Sequence, residues 1–238
     1  MKKRYLILSG LLAFTLAACS QEKPATTEAK SSTEQKTVEE GTTGSKSQEA
    51  SQKKAEVVNK GDYYSVQGKY DEIIIANKHY PLSKNYNPGE NHTAKIELLK
   101  LIAAMQEEGY AISDDYSGFR NYELQKKLYE KYVEEEGKEA ADRESARPGY
   151  SEHQTGLAFD LINTDGDLVT EEKAAQWLLD HAADYGFVVR YLKGKEKETG
   201  YMAEEWHLRY VGKEAKDIAA SGLSLEEYYG FEGGDYVD

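Results

Sequence analysis

The chain has 238 residues, with 43 acidic against 30 basic side chains and a formal net charge of −13. This acidity disfavours nucleic acid and anionic lipid surfaces as partners. There is one cysteine, so a disulfide within the molecule is excluded, and no nucleotide-binding glycine loop or internal repeat is present in the sequence.

The N-terminus has the pattern of a lipoprotein signal peptide. Lys2, Lys3 and Arg4 precede an apolar segment that runs to Ala18 and is too short to span a membrane. The sequence Leu-Ala-Ala-Cys that ends at Cys19 is typical of a lipoprotein signal-peptidase site. We therefore expect residues 1–18 to be removed and Cys19 to be lipidated, as in Gram-positive lipoproteins, which would anchor the protein on the extracellular face of the membrane.

Composition divides the rest of the chain into three parts. Residues 19–56 are rich in Ser, Thr, Glu, Lys, Gln and Ala, so they cannot form a packed core and are predicted to be a disordered tether. Residues 57–90 alternate in polarity, with Gly68 and Pro81 as turn signals, and are predicted to form a small β subdomain. Residues 91–238 are predicted to be the main domain.

Three amphipathic helices are predicted in the main domain from apolar residues at helical spacing. They are His92 to Glu108 with Ile96, Leu99 and Ala103 inward, 121–136 with Leu124, Leu128 and Tyr132 inward, and a third, capped by Thr170 and ending at Gly186, with Ala174, Trp177 and Leu178 inward. Short strands are predicted near 110–117, 157–162, 187–191 and 206–211. Helices and strands without a repeated βαβ unit indicate an α+β fold, with helices packed on a small antiparallel sheet.

Two segments carry the residues of a metal site. They are SEHQTGLAFD, from Ser151 to Asp160, and EEWHLRY, from Glu204 to Tyr210. A catalytic zinc ion takes three protein ligands from imidazole and carboxylate groups, and His153, Asp160 and His207 supply that number. Gly156 suits a bend before a strand that turns Leu157, Phe159 and Leu161 towards the core, away from the metal.

A general base is also needed, and two glutamates are candidates. Glu204 and Glu205 both precede His207 closely. On a regular strand Glu205 would share a face with His207 and Glu204 would point away, so periodicity alone favours Glu205. The other three histidines, His79, His92 and His181, are expected at the surface or in packing, and Asp165-Gly166-Asp167 is interpreted as a turn rather than a calcium loop.

These residues resemble the zinc D-Ala-D-Ala carboxypeptidase family that includes VanY and VanX. The first segment resembles the family motif S-x-H-x-x-G-x-A-x-D, and GYMAEEWHLRYVG resembles G-Y-x-x-E-P-W-H-x-R-Y-V-G. The likeness runs from about Ile96 to Tyr229 and includes SGFR, which ends at Arg120. Within the family the chain is most similar to the streptococcal lipoprotein L,D-carboxypeptidases.

By position, the resemblance implies roles for individual residues. His153, Asp160 and His207 would be the zinc ligands, Glu204 the catalytic base, and Arg120 the group that holds the substrate carboxylate or the oxyanion. Further substrate contacts would come from Gln125, Ser151, Tyr191 and Trp206. The family's proline after the base is Glu205 here, which leaves the local backbone less constrained.

The resemblance also implies a fold and an activity. The fold would be of the hedgehog/DD-peptidase type, and residues 91–238 would form a zinc carboxypeptidase domain that removes D-Ala from tetrapeptide stems of peptidoglycan to leave tripeptides. Peptidoglycan stem peptides would be the substrate, and the lipid anchor would supply the membrane contact. Two alternatives stay open: D,D-carboxypeptidase action on pentapeptide stems, and a zinc-stabilised wall-binding lipoprotein without catalysis.

Overall fold

The computed structural model describes residues 54–237, so the predicted signal peptide, Cys19 and most of the predicted tether lie outside the described residues. Within the described range there are two antiparallel sheets and seven α-helices. The strands are β1 Val57–Asn59, β2 Tyr64–Gln67, β3 Glu72–Ile75, β4 Ile112–Ser117, β5 Ala158–Asn163, β6 Phe187–Tyr191 and β7 Glu204–Tyr210. The helices are α1 His92–Glu107, α2 Tyr122–Glu136, α3 Lys138–Glu144, α4 Glu172–His181, α5 Glu196–Thr199, α6 Ala215–Ser221 and α7 Leu225–Tyr229.

The larger sheet has the strand order β4-β5-β7-β6, with every neighbouring pair antiparallel. Side chains alternate between its two faces. Phe159, Leu161 and Leu208 lie on one face, completely buried against α1 and α4. Asp160 and His207 lie on the other face. This arrangement confirms the predicted α+β fold, the four predicted strands and the inward direction of Phe159 and Leu161.

Helix α1 confirms its predicted span but buries a different face. Asn91 caps its N-terminus, because the Asn91 side chain accepts a hydrogen bond of 3.0 Å from the backbone N–H of Ala94. The buried residues are Ala94, Leu98, Leu101, Ile102 and Met105. The predicted inward residues Ile96 and Leu99 are instead 41% and 43% exposed. The helix has apolar residues around much of its circumference. The stripe from Ala94 to Met105 has more members and is buried, and the shorter stripe with Ile96 and Leu99 lies in solvent.

Helix α2 confirms its predicted span. The third predicted helix is shorter than expected, because α4 ends at His181 and a turn of 3-10 helix, Ala182–Tyr185, leads to Gly186. In α2 the only fully buried side chain is Gln125, and Leu124 is 52% exposed. This helix lines a polar cleft together with Arg120 and Trp206 and contributes no residue to the apolar core of the large sheet. In α4 Ala174 and Leu178 are buried as predicted. The N-cap position of α4 is Glu171, not Thr170, and it makes no side-chain capping hydrogen bond.

The small sheet, β1-β2-β3, packs against the C-terminal part of the chain. Val66, Ile73 and Ile75 share a buried apolar cluster with residues of β6 and of helices α6 and α7. A polar contact joins the two sheets directly, because Arg209 on β7 donates a hydrogen bond of 2.5 Å from Nη2 to the carbonyl oxygen of Ile74 on β3. Among residues 54–237, no helix is both long enough and apolar enough to cross a membrane.

Lys78 joins the loop after β3 to the last described residues. Its side chain is buried, its Nζ lies 3.1 Å from Asp235 Oδ1, and it donates a hydrogen bond to the carbonyl oxygen of Gly200. The same ammonium group lies 4.5 Å from the ring centre of Tyr201 and 5.0 Å from that of Tyr236. Burial lowers the pKa of Lys78, and the Asp235 carboxylate opposes this. The contacts hold the C-terminal segment, with Tyr236, close to Tyr201.

Candidate active site

Two of the three predicted metal ligands are direct neighbours across the sheet. Asp160 on β5 is paired in register with His207 on β7, and His207 Nδ1 lies 3.0 Å from Asp160 Oδ1. His153 approaches from a turn of 3-10 helix, Glu152–Thr155, just before β5, and its Nε2 lies 3.1 Å from Asp160 Oδ2. The three residues thus bring one ligand atom each within 4.8 Å of one another.

Local sequence explains the position of His153. The Ser151 hydroxyl accepts a hydrogen bond of 3.3 Å from the backbone N–H of His153 and so caps the turn. The turn ends at Gly156, which has φ 71° and packs so tightly that a Cβ atom there would overlap the carbonyl oxygen of Gly89. His153 Nδ1 is hydrogen-bonded at 2.9 Å to the carbonyl oxygen of Gly118. This bond fixes the ring and leaves Nε2 facing Asp160.

A strand irregularity brings Glu204 to the same site. The pairing of β6 with β7 shifts between Val189 and Tyr191, so that Tyr191 pairs with Glu204 while Val189 pairs with Leu208. The extra residues in β7 form a bulge that reverses the ordinary alternation. As a result Glu204 Oε2 lies 3.4 Å from His207 Nδ1, and Glu204 lines the cleft whereas Glu205 does not. The periodicity argument for Glu205 is therefore wrong, since it assumed a regular strand.

Arg120 lies on the other side of the cleft, in the segment that follows β4. Its backbone N–H donates a hydrogen bond of 3.2 Å to the carbonyl oxygen of His153, which ties this segment to the metal-site turn. Within residues 54–237 its buried Nε has no hydrogen-bond partner. Burial lowers the pKa of Arg120, and the negative charges of Asp160 and Glu204 oppose this effect. A buried guanidinium with a free donor is suited to bind a carboxylate or an oxyanion.

The remaining predicted contact residues line the same cleft, which is bordered by Gln125, Ser151, Tyr191 and Trp206. Gln125 donates a hydrogen bond of 2.6 Å from Nε2 to the carbonyl oxygen of Ala146, and its Oε1 has no partner among the described residues. The Tyr191 ring lies 4.9 Å from that of His207. The cleft therefore has a polar wall with Gln125 and Ser151 and an aromatic wall with Tyr191 and Trp206.

The residues interpreted as non-functional lie elsewhere. The ring of His181 packs 4.7 Å from that of Trp177, and His79 Nδ1 lies 3.9 Å from Glu232 Oε2 at the surface. His92 is exposed at the first position of α1. In the segment 163–167 the Asn163 side chain accepts hydrogen bonds from the backbone of Asp165 and Asp167, which confirms a turn.

Sequence reasoning missed a set of buried charged residues behind His207. Glu152, Arg190, Arg209 and Glu226 are each at most 3% exposed and are joined by ion pairs. Burial alone would raise the pKa of Glu152, but the charges of Arg190 and Arg209 hold it well below its usual range. Glu152 directly precedes His153 in the first motif, and this position was the sequence feature that could have indicated a role near the metal site. Arg209 is part of the second family motif, but its burial and its ion pair with Glu152 could not be derived from that motif.

The charges within the ligand cluster depend on one another. Burial would raise the pKa of Asp160, but His153 and His207 hold it well below its ordinary value, so Asp160 is ionised. Burial would lower the pKa of His207, but the neighbouring carboxylates of Asp160, Glu152 and Glu204 raise it well above 6.5. A positive charge in this cluster is therefore stabilised by the carboxylates around it.

The donor set fits a divalent metal such as zinc. Two imidazoles and one carboxylate converge, and Asp160 Oδ1 makes no hydrogen bond within the described part of the chain although it is buried. A buried carboxylate oxygen without a donor is costly unless a cation faces it. Three protein ligands beside an accessible cleft match the arrangement of catalytic zinc sites, in which a fourth position is left to water or substrate.

Comparison with known proteins agrees with this geometry. Residues 89–213 match the VanY family, described as D-alanyl-D-alanine carboxypeptidase. The chain is 35% identical over 190 residues to the putative carboxypeptidase YodJ of Bacillus subtilis, covering 69% of each chain. The fold matches an L,D-carboxypeptidase, DacB, from Streptococcus pneumoniae at 87% identity and a TM-score of 0.76, covering 77% of this chain and 100% of that one.

A second solved structure is more distant. It is a vancomycin-resistance D,D-pentapeptidase VanY variant in complex with Zn(II), which is 34% identical with a TM-score of 0.57, over 65% of this chain and 97% of that one. The fold is therefore shared with a VanY protein at 34% identity as well as with the streptococcal protein at 87% identity. The fold, the clustered ligands and these comparisons together show that the chain belongs to the VanY family of D-alanyl-D-alanine carboxypeptidases.

Proposed function

We propose that the protein is a zinc-dependent L,D-carboxypeptidase that removes the terminal D-Ala from tetrapeptide stems of peptidoglycan and leaves tripeptides. The observation that carries the proposal is the convergence of His153, Asp160 and His207 beside Glu204 in an open cleft. The L,D specificity is supported by the 87% identity to a structure described as an L,D-carboxypeptidase. A related structure is described as revealing how an LD-carboxypeptidase recognises peptidoglycan.

The metal would be held by His153 Nε2, Asp160 and His207 Nδ1, the atoms that face one another in the cluster. Zinc is supported by the Zn(II) complex of the VanY relative. When bound, zinc supplies a Lewis acid that lowers the pKa of a coordinated water and polarises a carbonyl group. Glu204 lies at the edge of the ligand cluster, so its carboxylate can accept the proton of the attacking water and later return it to the leaving amine of D-Ala.

The two sides of the cleft would divide the binding of the substrate. Arg120 provides a positive charge and an unpartnered Nε–H, which suits the terminal carboxylate of D-Ala or the oxyanion of the tetrahedral intermediate. Gln125 presents an unpartnered Oε1, which can accept a hydrogen bond from a peptide N–H. Tyr191 and Trp206 would enclose the apolar parts of the stem peptide.

D,D-carboxypeptidase action on pentapeptide stems is the second candidate, because the more distant VanY relative is described as a D,D-pentapeptidase. The purified protein, loaded with zinc, would be incubated separately with a tetrapeptide and a pentapeptide stem, and D-Ala release would be followed by mass spectrometry. We expect release from the tetrapeptide. Release from the pentapeptide alone would establish the D,D activity instead, and release from neither would favour a non-catalytic wall-binding protein.

We also propose that the mature protein is anchored to the extracellular face of the membrane through a lipid on Cys19. The support is the sequence pattern of residues 1–19, with a basic start, an apolar stretch and a small-small-Cys ending. Expression of the Cys19→Ala variant beside the wild type would test this. We expect the wild type in the membrane fraction and the variant released or unprocessed; equal membrane retention with no lipid on Cys19 would refute the anchor.

A further inference from the structure

A network of four buried charges lies directly behind the proposed metal site. Glu152 is 2% exposed, and its Oε1 lies 2.8 Å from Arg190 Nε and 3.0 Å from Arg209 Nη1. Arg190 continues the network to Glu226, with Nη2 2.6 Å from Glu226 Oε1 and Nη1 2.9 Å from Glu226 Oε2. Both guanidinium groups thus contact the same oxygen of Glu152, Oε1, and neither ion pair involves Oε2.

The second oxygen, Glu152 Oε2, faces His207. Glu152 Oε2 lies 3.5 Å from His207 Nε2, and both atoms are buried without a hydrogen-bond partner within residues 54–237. Two buried polar atoms of opposite character at this distance form a contact that a small adjustment would close into a hydrogen bond. For that bond to exist, His207 must carry its proton on Nε2, because a carboxylate only accepts.

The opposite nitrogen of the same ring faces the ligand cluster. His207 Nδ1 lies 3.0 Å from Asp160 Oδ1, and it can bind a metal only through a lone pair, so it must not carry a proton. The protonation state that Glu152 favours is therefore the state that metal binding needs. With a metal bound by Nδ1, the one proton of the ring would be on Nε2, where Glu152 can accept it. Without the metal, Asp160 Oδ1 at 3.0 Å would favour a proton on Nδ1 instead, so the preference set by Glu152 applies to the metal-bound ring.

We infer that Glu152 is a positioning residue for the metal site, which holds the proton of His207 on Nε2 so that Nδ1 is available as a ligand. Arg190 and Arg209 hold the carboxylate in place by occupying its Oε1. The inference rests on the metal-binding part of the proposed function. It adds a residue whose role is exerted through His207 and which touches neither substrate nor metal.

Glu152→Gln is the informative change, because it keeps the volume of the side chain and removes its charge. The two guanidinium groups require an acceptor, so the amide oxygen should turn towards Arg190 and Arg209. The amide NH₂ would then face His207 Nε2 and donate to it, which favours the tautomer with the proton on Nδ1. We expect the affinity for Zn(II), measured by competition with a chromophoric chelator, to fall about 10- to 100-fold.

Glu226→Gln is the matched control. It also neutralises a buried carboxylate on Arg190, but Glu226 has no contact with His207 in the structure. We expect it to lose stability to a similar degree while its affinity for Zn(II) stays within about twofold of the wild type. An equal loss of zinc affinity in both variants, or none in Glu152→Gln, would show that Glu152 only balances the charges of the arginines.

A measurement on the wild type keeps the inference testable if Glu152→Gln does not fold. Nitrogen-15 NMR of the histidine rings in the zinc-loaded protein distinguishes a protonated from a metal-bound ring nitrogen. We expect His207 to show a protonated Nε2 and a coordinated Nδ1, and coordination through Nε2 would overturn the inference. Because neither readout is activity, this outcome is separate from a failure to release D-Ala, which would count against the proposed function.

Discussion

Glu204 Oε2 lies 3.4 Å from His207 Nδ1, although the two residues are separated by an odd number of positions on the same strand. In a regular strand they would lie on opposite faces of the sheet. The bulge in β7 places them together, and the local backbone thereby decides which of two adjacent glutamates reaches the ligand cluster.

Glu204→Gln should reduce kcat for D-Ala release by about 100- to 10,000-fold, because the amide cannot accept the proton of the attacking water. Zinc content should be unchanged, since Glu204 is not one of the three proposed ligands. Glu205→Gln is the matched control and should retain activity within a few-fold. If Glu205→Gln were the inactive variant, the assignment of the base from the bulge geometry would be refuted.

Arg120→Lys should lower kcat/KM by about 100-fold or more although it keeps the positive charge, because an ammonium group lacks the planar paired donors of a guanidinium. The same substitution at Arg143, which is exposed on α3, provides the control. Steady-state kinetics on the tetrapeptide would measure both. A lysine variant as active as the wild type would mean that charge alone is needed at this position.

Removal of the metal should destabilise the protein, because the ligand cluster is buried and its charges then lack a counter-ion. Free zinc at 100 times its dissociation constant should stabilise the folded state by about 2.7 kcal/mol. Thermal unfolding with chelator, and again after zinc is restored, would measure the difference. The Asp160→Asn variant should show a much smaller response to zinc, and an identical response would argue that the ion binds elsewhere.

Zinc and a proton should compete for His207. In the metal-free protein the pKa of His207 is raised well above 6.5 by Asp160, Glu152 and Glu204. The resulting stabilisation is fully present below the unfolded pKa of about 6.5 and is lost as the pH rises through the raised folded value. Because zinc must displace this proton, its apparent affinity should fall about tenfold for each unit of decreasing pH.

Two titrations would check this pH dependence. Denaturant unfolding of the metal-free protein should show stability declining as the pH rises through the raised pKa of His207. Chelator competition at pH 6, 7 and 8 should show that zinc binds more tightly as the pH rises. A zinc affinity that does not vary with pH would show that His207 is already neutral before the metal binds.

Gly156→Ala should destabilise the fold by more than about 2 kcal/mol, because it combines a positive φ with a clash against the carbonyl oxygen of Gly89. Gly166→Ala is the control, since Gly166 has φ 91° but no atom lies within 4 Å of an added Cβ. It should cost only about 1 kcal/mol. Chemical denaturation of the three proteins would compare them, and equal losses would remove the steric part of the argument.

Most helix and strand positions in the main domain could be predicted from the sequence, but the face that a helix buries could not. The four strands of the large sheet and the spans of α1 and α2 follow from periodicity and from turn residues. The buried face of α1 could not be read from the pattern, because Ile96 and Leu99 form a second apolar stripe and the choice between stripes depends on the surrounding core. Helix α3 was missed because Gly137 looks like the end of a helix, although it also begins the next one.

The site was predictable to the extent that its motifs are local. His153 and Asp160 lie within one ten-residue segment, and the family resemblance supplied Arg120 and Glu204. The register shift opposite Tyr191 was not encoded in any local pattern, so the position of Glu204 could not be derived from strand geometry. Glu152, Arg190 and Arg209 come together only in three dimensions, where burial forces each charge to find a partner.

The buried ammonium group of Lys78 has a consequence for the order of folding. It joins residues 157 positions apart in the sequence, and it packs against Tyr201 on the wall of the cleft. Contacts of such long range require a large loop to close, so they form late, after the local helices and hairpins have assembled. The side of the cleft that contains Tyr201 should therefore be among the last parts to become ordered, and a partly folded chain would possess the metal ligands before it possesses a complete substrate groove.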